Sequence, residues 1–177
     1  MSITTTELEN TKTIMAPLAE VEIDGSTQAR EKIDQATVDE YVEKMEAGSK
    51  FPPVVLFHDG KAYWIGDGFH RCLAAVTLNR SEIKADVYPG GQKAAIRYAV
   101  GANDNHGLKR SNGDKRRAVS IALREFPNKS QRGIATLCKV SRRLVIDILE
   151  ERGELLSVEN IDANAAELRG REATYAA

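Results

Sequence analysis

The chain has 177 residues, of which 42% are hydrophobic and 29% charged. That is enough to bury one medium core or two small ones, and too apolar for disorder as the overall state. No run of about 18 apolar residues occurs, and the opening MSITTTELENTK carries early acids without an apolar signal core. The expectation is a cytoplasmic protein with no membrane span and no secretory leader. Cys72 and Cys138 are far apart, and His58, His70 and His106 lack the spacing that gathers metal ligands, which argues against a disulfide scaffold and against zinc.

The formal net charge of −1 conceals an asymmetry. Residues 109–152 hold 12 Lys/Arg against 5 Asp/Glu, a net +7, whereas the segments on either side are acidic. Such a block sets up a local field that attracts a polyanion; the alternative is a set of solvated helix faces.

In chain order, residues 1–17 are rich in Thr and Glu without a period and are expected to be a flexible arm, with order beginning at Leu18. Residues 18–23 alternate as a short strand. A polar loop over 25–30 precedes a helix over 37–46, in which Val38, Tyr41, Val42 and Met45 recur at helical spacing. Gly48 and Phe51-Pro52-Pro53 end it, because proline has no amide proton and restricts the residue before it. Residues 54–57 and 62–65 flank Asp59-Gly60 as a β-hairpin. Gly66-Asp67-Gly68 then leads into a helix over 69–78, and 83–88 returns as a strand before Pro89-Gly90-Gly91. From residue 93 to 152 the pattern is helical, broken at His106-Gly107, Ser111-Asn112-Gly113, Pro127-Asn128 and Lys139-Val140-Ser141. Residues 153–177 form an acidic, Ala-rich tail.

Gly66-Asp67-Gly68-Phe69-His70-Arg71 lies where a strand hands over to a helix, a place where backbone amides can face an anion. Glycines there permit close approach of a phosphate, while His70 and Arg71 add a switchable donor and a fixed, bidentate one. A tight turn with no ligand is the competing reading. A second polar stretch, Asn103 to Ser111, has oxygen ligands suited to a divalent ion, with His106 and Arg110 available to phosphates. The alternative is that Asn105 and Asn112 merely cap helices.

Two longer pieces, GSKFPPVVLFHDGKAYWIGDGFHRCLAA and AVGANDNHGLKRSNGDKRRAV, resemble the N-terminal domain of the ParB/sulfiredoxin-like superfamily, and the resemblance runs over about residues 18–150. It implies an α+β fold: a small mixed-sheet domain of the ParB/sulfiredoxin type over 18–100, followed by an all-helical helix-turn-helix domain over 101–152. It also implies a nucleotide, CTP or ATP with Mg²⁺, held by Gly66, Asp67, Gly68, His70, Arg71, Asn103, His106 and Arg110, with Asn103 beside the metal. Where sulfiredoxins carry their catalytic cysteine this sequence has Phe69, so cysteine-based sulfinate reduction has lost its nucleophile. Cys72, three residues on, reads as a small core residue.

NKSQRGIATLCKVSRRLVIDIL resembles the ParB-type helix-turn-helix. Ile134, Cys138, Val140, Val145 and Ile148 give the apolar register, and Ser141 would cap the second helix, leaving Arg142 and Arg143 in its first turn. Lys139 stands where a turn usually has glycine, a departure that costs up to about 1 kcal/mol if positive φ is needed. Double-stranded DNA is the expected partner. Lys115, Arg116, Arg117, Lys129 and Lys139 would contact phosphates, Gln131, Arg142 and Arg143 would read bases, and Arg132, near the start of the first helix, and Ser141 belong to the same DNA-binding set. One short recognition helix rarely suffices, so a homodimer on palindromic half-sites is expected. The function implied is nucleoid- or plasmid-associated plasmid partition or transcriptional regulation. A ParB-like DNase, an NTPase or a nucleotide-dependent phosphotransferase is the other reading.

Overall fold

The computed structural model describes residues 11–23, 26–102 and 109–153. Ordered structure starts earlier than the sequence pattern suggests. β1 (Lys12–Pro17) belongs to the sheet, paired antiparallel with β5 (Glu82–Pro89), so residues 12–17 are not part of an arm. Its signal is weak because it is an edge strand in which Ala16 is buried and Met15 faces out. The strand expected over 18–23 splits into a 3₁₀ turn, Leu18–Glu20, and a two-residue strand β2 (Val21–Glu22).

α1 (Gln35–Glu46) starts at Asp34, whose carboxylate accepts the Thr37 amide. β3 (Val54–His58) and β4 (Tyr63–Asp67) form the expected hairpin. Gly60 takes φ +94° in the turn, a conformation that costs an ordinary residue a Cβ–carbonyl clash. Asp59 closes it: Oδ1 accepts the amides of Lys61 at 2.9 Å and Ala62 at 3.0 Å, and Oδ2 accepts the Trp64 indole N–H at 2.8 Å. The sheet order β1-β5-β3-β4-β2 is mixed, with β3/β5 and β2/β4 parallel.

α2 (Phe69–Thr77) and α1 cover one face, where Leu56, Ile65, Val54 and Ala85 meet Val38, Met45, Phe69 and Cys72. α3 (Gln92–Gly101) lies on the other face, with Tyr98 against Phe57 at a 5.8 Å ring separation. Its Ile96 and Val100 instead join a second core built with α4 (Asn112–Glu125), α5 (Gln131–Cys138) and α6 (Arg142–Arg152). A domain border at residue 100 therefore runs through a helix that serves both cores. Among the described residues no helix is long and apolar enough to cross a membrane.

The two cores are also tied through α4. Ser111 and Asp114 form a capping box, each side chain accepting the other's amide. Asp114 is buried and also accepts the amide of Glu31 at 2.9 Å, with the Arg30 guanidinium 3.6 Å away. Burial pushes the Asp114 carboxyl pKa up, but the amides of Glu31 and Ser111, the Ser111 hydroxyl and Arg30 outweigh it and hold the pKa below the usual range.

Three hydrogen bonds, those from the Ala62 amide, the Trp64 indole and the Lys61 amide, lower the Asp59 pKa from 3.8 to about 2. The folded value lies below the ordinary one, so the hairpin's stabilisation by this carboxylate is complete above the ordinary carboxylate range and drains away as pH falls through about 2. The Trp64 indole proton signal, followed by NMR, should titrate with a midpoint near 2; a midpoint in the ordinary carboxylate range would contradict the geometry.

Candidate functional site

The strand-to-helix loop is shaped by packing. Gly68 caps α2 at φ +98°, and a Cβ there would lie 2.6 Å from Val54 Cγ1. A Cβ on Gly66 would lie 2.9 Å from the Phe57 ring and 3.1 Å from that of Tyr98. Both glycines are needed for the chain to pass between β3 and α3, whether or not a ligand binds. No side chain caps α2 or α3, whereas Asp34, Ser111, Ser130 and Ser141 cap α1, α4, α5 and α6. The first-turn amides of α2 thus carry the helix's positive end with no side-chain acceptor from their cap residue.

Arg71 and Asp67 are brought together, with Nη2 3.1 Å from Oδ2. Arg71 Nη1 donates to the carbonyls of Pro52 at 2.5 Å and Pro53 at 2.8 Å, and its side chain is 12% exposed. The guanidinium therefore holds the Pro52-Pro53 turn against the α2 start. His70 is buried, and its Nε2 accepts the Asp34 amide at 3.2 Å, which requires the neutral tautomer protonated on Nδ1. It faces the start of α1, a role that the loop motif did not signal. Phe69 packs in the sheet core, and Cys72 is fully buried, its thiol pKa pushed up to about 12 by burial.

Asn103 and His106 lie outside the described residues. Arg110 is held in the helical half, where Nη1 donates to the Cys138 carbonyl at 2.9 Å at the end of α5, and its Nη2 is buried with no partner among the described residues. Among the described residues there is no group of three or more His, Cys, Asp or Glu side chains that could hold a metal.

α5 and α6 are joined by Lys139, Val140 and Ser141. Lys139 takes φ 52° and ψ 51°, the left-handed conformation that the missing glycine would have supplied. The Ser141 hydroxyl accepts the Leu144 amide at 3.3 Å and caps α6. Arg142 and Arg143 follow in the first turn of α6, both exposed. Arg143 pairs with Asp147 at 2.7 Å on its own helix and approaches Glu150 at 3.8 Å. Gln131, at the first position of α5, is only 1% exposed, and its Oε1 accepts both Arg142 Nε at 3.0 Å and Nη2 at 2.8 Å. Of the other basic residues, Arg132 and Lys139 are exposed and Lys115 and Lys129 half-buried; Arg116 pairs with Glu151, and Arg117 Nε donates to the Gln28 carbonyl at 3.4 Å.

A methyl group at Gly68 meets both a disfavoured φ and the Val54 side chain. Gly68→Ala should lower stability by about 2–4 kcal/mol, read as a shift in the urea midpoint. A change below about 1 kcal/mol would show that the loop yields to the added carbon.

The ParB N-terminal domain family matches residues 4–104. The "Streptomycin biosynthesis operon possible regulatory protein" of Streptomyces griseus is 30% identical over 99 residues, covering 56% of this chain and 28% of that protein. This chain thus spans little more than a quarter of that relative. The C-terminally truncated chromosome-partitioning protein ParB from Caulobacter crescentus, solved in complex with the centromeric parS site, superimposes with a TM-score of 0.50 at 16% identity, over 81% of this chain and 78% of the other. The same protein complexed with CTP-gamma-S gives 0.45 at 17% identity, over 88% and 92%. The fold is α+β, of the ParB/sulfiredoxin-like kind, and the chain belongs to the ParB N-terminal domain family.

Proposed function

We propose that this protein binds double-stranded DNA through α5 and α6, with α6 as the recognition helix, and that it acts as a homodimer in transcriptional regulation. The observation that carries the reading is the start of α6. A capped helix begins straight after a tight left-handed turn and presents two exposed arginines in its first turn, where a major-groove helix meets base edges. The basic residues around it, Arg132, Lys139, Lys129 and Lys115, supply phosphate contacts. Of the two roles the sequence suggests, the regulatory description of the Streptomyces griseus relative favours transcriptional control over plasmid partition.

The same reading gives the α2 loop a nucleotide, CTP or ATP with Mg²⁺. Support comes from the first-turn amides, which have no capping side chain, and from Arg71 at their edge. The amides of Phe69, His70 and Arg71 would hold a phosphate, as helix starts hold anions. Asp67, half exposed beside Arg71, is the carboxylate nearest that helix start in sequence. When bound, a nucleotide would supply a charged ligand whose phosphates complete the α2 cap. Addition of CTP or ATP with Mg²⁺ should shift the backbone amide NMR signals of residues 68–71; no shift with either nucleotide would overturn this part.

For DNA, Arg142→Ala combined with Arg143→Ala should abolish sequence preference in a gel-shift or anisotropy assay, with a lowered melting temperature because the buried Gln131 oxygen loses its donors, a cost of about 1–3 kcal/mol. Retained preference would remove α6 as the reading helix. Lys139→Gly should relieve the left-handed strain, raising stability by up to about 1 kcal/mol. It should also weaken all duplexes alike and reduce the slope of log K against log salt by about one. An unchanged slope would take Lys139 off the phosphate backbone.

A further inference from the structure

Gln131 stands at the first position of α5 and, being 1% exposed, is closed to a base edge in the groove. Its carbonyl oxygen is spent on one partner, the Nε and Nη2 of Arg142, eleven residues on in the neighbouring helix. A guanidinium has five N–H donors in a planar fork. Gln131 takes the side made of Nε–H and one Nη2–H. Among the described residues no other group takes the end made of Nη1 and the outer Nη2–H, which is held in one plane with the rest of the fork. That end matches the O6 and N7 acceptors of guanine in the major groove.

Arg143 differs. Its guanidinium is tied to Asp147 and Glu150 on α6 itself, so two carboxylates of its own helix compete with any base for its donors.

We infer that Gln131 is a positioning residue that sets base specificity: it fixes the Arg142 fork so that the open end pairs with a guanine, and Arg142 rather than Arg143 carries the discrimination. This rests on the proposed DNA reading by α6. Without Gln131 the Arg142 side chain, exposed and long, keeps its charge but samples many rotamers, and a bidentate contact loses part of its strength to ordering. Charge and fork geometry are thereby separable, because phosphate attraction needs only the former.

The test is selection from a random duplex library with the full chain, followed by binding measurements on the selected duplex. The wild type should select a fixed guanine in each half-site, and replacing it by 7-deazaguanine, which lacks the N7 acceptor, should weaken binding about 10-fold. Gln131→Met, of similar size but without the oxygen, should reduce the preference for that guanine about 10-fold more than it reduces affinity for random duplex. Gln131→Glu, which keeps an acceptor oxygen, should retain the preference, and Arg142→Lys, which keeps charge without the fork, should lose it. If the wild type selects no sequence, the DNA reading itself falls. If Arg142→Lys loses the guanine while Gln131→Met keeps it, Arg142 reads the base unaided and the role of Gln131 is overturned. A selected site without a fixed guanine, or one indifferent to 7-deazaguanine, overturns the inference on the wild-type protein alone, even where Gln131→Met fails to fold.

Discussion

The Asp114 carboxylate is the point on which the relation of the two cores turns. It caps its own helix through Ser111, and it takes the Glu31 amide from the loop that leads into α1. A buried carboxylate costs several kcal/mol in lost hydration unless its oxygens are satisfied, so the 27–34 loop and the start of α4 are each the condition for the other. The helices that follow inherit their placement from α4, since Ala118, Val119 and Ala122 form the surface on which Ile134, Cys138, Val145 and Leu149 pack. An acidic side chain at the head of a strongly basic segment thereby orients the whole basic face.

α3 makes the second tie, by a different kind of force. Tyr98 turns to the sheet side while Ile96 and Val100 turn to the helical core, so one short helix buries apolar surface on two sides. Burial of this sort is non-directional and tolerates small adjustments, whereas the Asp114 network fixes angles and distances. Together they give an interface that resists separation through α3 and keeps its register through Asp114.

The elements most legible in the sequence are those set by local chemistry. The β3–β4 hairpin follows from Asp59-Gly60, because a carboxylate and a residue free to adopt positive φ determine the turn with little help from elsewhere. The cap at Ser141 is of the same kind, whereas α4 is capped by Ser111 rather than by the neighbouring Asn112. β1 was hidden because its pairing with β5 spans some seventy residues and its outward positions are polar or exposed. The GDGFHR motif is readable as a turn, while the protein partners of its side chains are not. His70 and Arg71 look available to a phosphate in the sequence, yet distant groups engage them: the Asp34 amide for one, and the Pro52 and Pro53 carbonyls for the other. Gln131 likewise reads as a base contact in the sequence, since nothing local signals that Arg142 claims its oxygen.

Lys139 and Arg142 show how a basic surface of this size is kept compatible with a fold. The turn between α5 and α6 needs a left-handed residue, and glycine would fill it without strain; lysine accepts about 1 kcal/mol of strain and contributes a cation. Arg142 sits three residues further on, close enough that an unrestrained guanidinium there would repel that cation as well as Arg143. Hydrogen bonding to a neutral amide leaves that repulsion in place but restrains the guanidinium: Gln131 orients Arg142 without cancelling its charge, whereas Asp147 and Glu150 partly neutralise Arg143. The field over the start of α6 is then carried mainly by two cations, Lys139 in the turn and Arg142 held by a buried amide. On the proposed DNA reading, Arg142 is ordered before a duplex arrives, so less of its side-chain entropy remains to be lost when a base edge is engaged.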